Sequence, residues 1–213
     1  MENEEYMDLI DLLETHLENF IEEDDLIVFE DVESKNNPVD VYWIKPNAEY
    51  RPYSILLTCG LSQFASTLPE EFEENRFVEF AMLFPMDWDF DNIEDKPESI
   101  AWPISFLQGI GKMPISEDTW FGFGQTRYCG NRKEDCFPGT PFNSAIVLPS
   151  IKLPKEFTDI KIGNDLIKIY SVIPLYPEEL KFSLDHDANT LLDRFNKFEI
   201  QEIIDLNRKN SCK

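Results

Sequence analysis

Residues 53–88 read YSILLTCGLSQFASTLPEEFEENRFVEFAMLFPMDW, and the reading of this stretch decides the fold. Two apolar runs, 54–58 and 77–84, each stop at a breaker, Gly60 in one case and Pro85 in the other. Near-continuous apolar runs of this length suit strands that are buried on both faces. They are expected to form two central strands of one sheet, joined by an acidic loop that holds Glu70, Glu71, Glu73 and Glu74.

Working outward, shorter strand-like runs lie at 26–30, 39–44 and 143–148. Residues 159–162 and 166–173 flank Gly163-Asn164, a favourable two-residue hairpin turn. Helices are expected at 99–112, where Pro103 sits in the first turn, and from Pro177, with acids in its first turn. Pro114 is expected to stop the first of these. A bent helix or helix pair is expected over 188–208, with Leu191, Leu192, Phe195, Ile200, Ile203, Ile204 and Leu206 as its apolar stripe. Strands followed by flanking helices predict a single α+β domain, an α/β sandwich with one mixed, mostly antiparallel sheet. Its core is expected to span 26–195.

The chain of 213 residues carries a net charge of -23, from 42 acidic and 19 basic residues. Such a chain repels nucleic acid and anionic membranes, because phosphate binding needs Lys and Arg. It attracts basic partners, and it is also simply soluble. Residues 1–34 contain 14 acids and no Lys or Arg. Within them, Tyr6, Leu9, Ile10, Leu13, Leu17, Phe20 and Ile21 recur three or four apart, which predicts an amphipathic helix over 5–22. Asp11, Glu14, Glu18 and Glu22 lie on its outer face. A helix face without a compensating cation repels itself, which favours an anionic ridge offered to a partner over a merely solvated face.

Candidate chemistry is sparse. D-W-D-F-D at 87–91 has acids two apart, but a calcium loop counted from Asp87 would need Gly where Asn92 stands. Cys129 and Cys136 are spaced too widely for a zinc pair and have no nearby His. They are expected as free thiols, since a cytoplasmic location disfavours the alternative of a disulfide. No basic region precedes an apolar stretch, and no run is long enough to span a membrane. No nucleophile elbow, phosphate loop or dinucleotide fingerprint is present. His16 sits near the apolar side of the first helix, and His186 lies between Asp185 and Asp187. Neither joins a nucleophile–base–orienter set, so no enzyme activity, cofactor or metal is expected.

The ordered succession T-C-G-L-S, F-P-M-D-W, W-P-I-S-F-L-Q, W-F-G-F-G-Q-T, P-F-N-S-A-I-V-L-P and I-P-L-Y-P-E-E-L, over about residues 38–195, resembles the suppressor-of-fused (SUFU) family. Many members have His where this chain has Gln125, which argues against a metal or catalytic role there. The resemblance implies the same sandwich, with a tryptophan-containing strand at 120–125 after the helix of 99–112. It also implies a non-catalytic binding protein, similar to bacterial members proposed as immunity proteins of polymorphic and LXG-type toxin systems. The implied partner is a basic toxin, such as a nuclease, whose phosphate-binding groove an acidic ridge complements. Contacts are expected from Asp11, Glu14, Glu18 and Glu22, from Glu70, Glu71, Glu73 and Glu74, and from Asp87, Asp89 and Asp91, with Trp88 and Phe90 as aromatic anchors. The alternative is an adaptor that binds an extended peptide by strand addition.

Overall fold

The computed structural model describes residues 8–213 other than 36, 66–67, 69–75, 117–119 and 130–135, with backbone only at 114–116. The expected acidic loop at Glu70, Glu71, Glu73 and Glu74 therefore lies outside the described residues.

Strands β1 (Leu26–Phe29), β2 (Asp40–Ile44), β3 (Tyr53–Cys59) and β4 (Phe77–Pro85) form an antiparallel run. Strands β5 (Thr126–Tyr128), β6 (Ser144–Pro149), β7 (Asp159–Ile162) and β8 (Asp165–Leu175) complete the sheet. The strand order is β1-β2-β3-β4-β8-β6-β5, with β7 paired to β8. β4 and β8 run parallel, with Phe77 opposite Ile167. The other pairings are antiparallel. The fold is thus the mixed, mostly antiparallel α+β sandwich that the sequence predicts.

Alternation along the central strands feeds two layers. Tyr42, Ile44, Ile55, Leu57, Ala81 and Leu83 cluster with Leu13 and Leu17 of α1 (Leu9–Leu17). Trp43, Leu56, Phe80, Met82 and Phe84 cluster with Trp102, Phe106 and Ile110 of α2 (Glu98–Ser116). A third cluster joins β6 and β8 to α4 (Pro177–Asp185) and α5 (Ala188–Lys197) through Ile146, Ile173, Leu180, Leu191 and Phe195. A short helix, α3 (Lys155–Thr158), adds Phe157 to the α1 side.

Gly60 ends β3 at φ +113°, and a Cβ there would lie 2.7 Å from the Pro38 carbonyl oxygen. Gly60→Ala is therefore expected to lose about 1–3 kcal/mol from strain at a left-handed site without room. Urea unfolding measures this, and a loss below about 0.5 kcal/mol would show that the turn relaxes freely.

Four expectations are corrected. The described helix α1 starts at Leu9, where the Asp8 side chain accepts from the Ile10 N–H and caps it, and residues 5–7 of the expected helix lie outside the described residues. It ends at Leu17, short of residue 22. Helix α2 runs past Pro114 to Ser116, since a proline removes one hydrogen bond without dissolving the whole turn. Residues 120–125 are not a strand. Gly124, at φ +81°, turns the chain there, although Gly124 and Gln125 still exchange backbone bonds with Val147.

The fourth correction matters most. The helix expected over 188–208 stops at Lys197, where Glu199 takes a left-handed φ of 57°. The following residues are not helical: a bend at 202, a bridge at Ile203 and a turn at 206–207. Ile203 bridges Leu83 in parallel, and the Ile204 N–H donates to the Leu83 carbonyl at 2.8 Å. Ile203 joins the α1-side cluster, whereas Ile204 and Leu206 join the α2 side. Spacing that reads as a helical stripe is thus used as alternation across a sheet.

Candidate protein-interaction surface

Helix α1 turns Leu13 and Leu17 into the core and leaves Asp11 and Glu14 exposed, as are Glu18 at its C-cap and Glu22 beyond its end. Glu23 and Asp24 extend this exposed acidic run. Glu14 is held in place by the Tyr42 hydroxyl, which donates to it at 2.5 Å. Burial, followed by nearby anionic groups, pushes the Tyr42 phenol far above its usual range, so it remains a donor. Among the described residues, no Lys or Arg forms an ion pair with Asp11, Glu14, Glu18, Glu22, Glu23 or Asp24. Lys45 comes nearest, but it donates to the Asp24 backbone carbonyl. The ridge is therefore an uncompensated anionic surface on a helix whose other side is locked into the sheet.

The 87–91 loop is built differently. Asp87, Asp89 and Asp91 are exposed. Asp89, however, is bound to Lys96 and accepts the Asp91 N–H at 2.9 Å. The Lys96 hydrogen bond holds the Asp89 carboxyl below its ordinary range. Phe90 is 1% exposed, packed edge-on against Trp43 and Phe84, and is a core residue that cannot anchor a partner from this position. Trp88 is half-buried against Phe84 and Trp102, and its indole N–H donates to the Ile100 carbonyl at 3.3 Å. Trp88 and Phe90 belong to the α2-side layer and α1 to the opposite one, so the two acidic segments are not brought together.

Cys129 and Cys136 are corrected from free thiols to a disulfide, with Cα atoms 5.9 Å apart. That Cα separation is within the range a disulfide spans, a geometry that spacing rules for metal ligands do not address. Cys59 and Cys212 are free. Among the described residues, no group of three or more His, Cys, Asp or Glu could hold a metal. No helix among them is long and apolar enough to cross a membrane. His16 packs against Phe20, and its Nε2 lies 3.0 Å from the Phe157 carbonyl, a packing role.

Sequence reasoning missed four carboxylates that are buried among the described residues: Asp31, which pairs with Lys112 at 2.7 Å, and Glu79, Glu179 and Glu202. Glu202 accepts from the Ser150 and Ser171 hydroxyls and from the Ile151 and Lys152 N–H groups. It fixes the C-terminal segment beside β4. These acids could not be told from the other carboxylates by pattern alone. Their signal was position: Glu79 interrupts an apolar strand, and Glu179 follows a helix-starting proline.

The family model for the suppressor of fused protein matches residues 35–209. The chain belongs to the suppressor of fused family. A relative, the uncharacterized protein UU111 of Ureaplasma parvum serovar 3, is 28% identical over 160 residues, covering 75% of this chain and 74% of its own length. A suppressor of fused homologue from Neisseria gonorrhoeae shares the fold at a TM-score of 0.68 and 17% identity, covering 96% of this chain and 97% of that one. Suppressor of fused in the Sufu–Fu complex superimposes at 0.61 with 13% identity, covering 95% of this chain and 90% of that one. The Drosophila suppressor of fused gives 0.62 and 13% identity over 95% of this chain, which spans 50% of the Drosophila chain. At these identities the solved structures bear on fold alone.

Proposed function

We propose that this suppressor of fused domain is a non-catalytic binding protein that captures a basic protein through the acidic ridge of α1. We further propose that the partner is a toxin, such as a nuclease, which the protein neutralises as an immunity protein. One observation carries the reading: Asp11 on α1, Glu18 at its C-cap and Glu22 just beyond it stand exposed, and among the described residues no cation pairs with them, beside a helix anchored by Leu13 and Leu17. A nuclease needs a basic groove for phosphates, and an acidic ridge both fits that groove and speeds encounter.

The test begins with affinity capture from the source cells. The captured basic protein is then expressed with and without this chain. Growth arrest by the partner alone, relieved at equimolar expression, supports the reading. A harmless partner ends the immunity proposal. Asp11→Lys, Glu18→Lys and Glu22→Lys together should weaken capture by at least roughly ten-fold and flatten its salt dependence, because rim charges act mainly on association. Thermal stability should change by less than about 1 kcal/mol, as these are surface positions.

A second reading, strand addition by an adaptor, has one observation in its favour. β1 stands at the end of the strand order, with Val28 43% exposed. Its capture would be nearly independent of salt, unlike capture by the ridge.

A further inference from the structure

A cleft of about 690 Å³ opens at the carboxyl end of β4, between the 85–100 segment and residues 201–207. It lies where the sheet divides. β8 pairs with β4 as far as Ala81, and beyond that point Ile203 takes over the edge of β4 at Leu83. Crevices outside the carboxyl ends of strands, where topology changes, are favoured ligand sites. The size falls within the usual range for such sites.

The lining is acid-rich, with Asp87, Asp89 and Asp205 against one cation, Lys96. Trp88, Ile100 and Leu206 supply an aromatic ring and apolar carbon. Asp87 and Asp205 supply exposed carboxylates. The cation and the indole are already engaged, while Gln201 and Asn207 add neutral side-chain amides. Lys96 is bound to Asp89, the Trp88 indole N–H is given to Ile100, and among the described residues the Asp205 carboxylate receives the Asn207 N–H, at 2.8 Å. What the cleft offers a visitor is therefore a partly exposed indole, apolar walls, neutral amides and a surplus of anionic acceptors. An arginine side chain is the complement: five donors, no acceptor, a planar cation that stacks on indole, and an aliphatic stem. A carboxylate-bearing or neutral apolar ligand would leave Asp87 and Asp205 unanswered.

We infer that this cleft is a docking site for an arginine-bearing segment of a basic protein partner, with the guanidinium on Trp88 between Asp87 and Asp205. The inference deepens the proposed capture of a basic protein and rests on that reading. It adds a second point of contact on the layer opposite the α1 ridge.

The probe is the blocked tripeptide acetyl-Arg-Leu-Arg-amide, titrated into the ¹⁵N-labelled full chain. Acetyl-Glu-Leu-Glu-amide serves as the control. The Trp88 indole resonance, assigned by its loss in Trp88→Phe, should shift saturably with the arginine peptide and stay still with the acidic one. Asp87→Asn with Asp205→Asn keeps shape and should weaken the arginine peptide by about ten-fold, in keeping with charge-assisted hydrogen bonds. The Asp11, Glu18 and Glu22 reversal should leave this titration unchanged. A Trp88 resonance that does not move, that moves equally with both peptides, or that is indifferent to the double substitution would overturn the cleft assignment. Loss of partner capture in the α1 variant would then still support the ridge. Conversely, a cleft that binds the probe while the captured protein proves harmless would leave the cleft standing and remove the immunity reading.

Discussion

Arg208→Ala should lower the melting temperature by roughly 6–20 °C, corresponding to a loss of about 3–5 kcal/mol when a buried charge pair is broken from one side. Arg208 and Glu179 have side-chain exposures of 8% and 0%. The guanidinium meets the carboxylate with both nitrogens, at 2.7 and 2.5 Å. It also donates to the Pro174 and Lys209 carbonyls and lies over the rings of Phe142, Tyr176 and Phe195. Glu179 in turn accepts the Tyr176 N–H and both the N–H and hydroxyl of Ser211. One ion pair therefore ties the end of β8, the start of α4 and the C-terminal segment together. Removing the arginine leaves a fully buried carboxylate with neutral donors only. Arg208→Lys keeps the charge but not the fork, and should fall between the parent and the alanine variant. Adding Glu179→Gln to Arg208→Ala should recover part of the loss, since no charge is then left uncompensated. Circular dichroism melts decide the matter, and a shift under 2 °C would mean that the pair is dispensable.

The second large effect belongs to Glu79. This carboxylate is 0% exposed, and no ion pair is formed with it among the described residues. It accepts from the Thr58 hydroxyl at 2.5 Å and from the Gly60 and Ser62 N–H groups at 3.2 and 2.8 Å. The Thr58 oxygen accepts the Phe80 N–H in its turn. Burial pushes the acid up from 4.5 to about 7, against the lowering effect of these donors. The folded state therefore holds the proton more tightly than the unfolded chain does. The stabilising contribution is complete below pH 4.5, declines as pH rises toward 7, and is gone above it. The swing is on the order of 3 kcal/mol. Glu79→Gln mimics the protonated form and should lack this slope, and above pH 7 it should match or exceed the parent. Glu79→Ala should lose about 2–4 kcal/mol near neutrality, because the donors of the β3 turn lose their acceptor. Urea unfolding of the parent and Glu79→Gln between pH 5 and 8 gives the difference directly, free of the many other acids. A difference that does not change with pH would refute the raised acid.

What could be read in the sequence was whatever depends on local pattern. The two apolar runs became β3 and β4 because a strand covered on both faces needs no polar alternation. Gly163-Asn164 gave the β7–β8 hairpin, and the acids of α1 lie outward as its period demands. What could not be read depends on what stands opposite a residue. Ile200, Ile203, Ile204 and Leu206 fit a helix by spacing, and only the free edge of β4 holds the segment out of a helix. Phe90 has the look of a surface anchor until Trp43 and Phe84 are seen around it. Glu79, Glu179 and Glu202 vanish among 42 acids, because burial is not written in residue type. The cleft is assembled from two segments about a hundred residues apart, and neither carries a motif.

The division of the sheet beside β4 has a consequence for the newborn chain. By the time Pro85 has been made, β3 can cover one edge of β4, but the other edge waits for Ile167 and then for Ile203. At ordinary synthesis speeds that wait lasts roughly 5–20 s. Throughout it, an apolar strand with open backbone groups faces the cell, a template for pairing with any neighbour. The central strand that makes the folded domain secure is thus its most exposed liability on the ribosome. Its protection must come from outside the chain until the last turn of the sheet arrives.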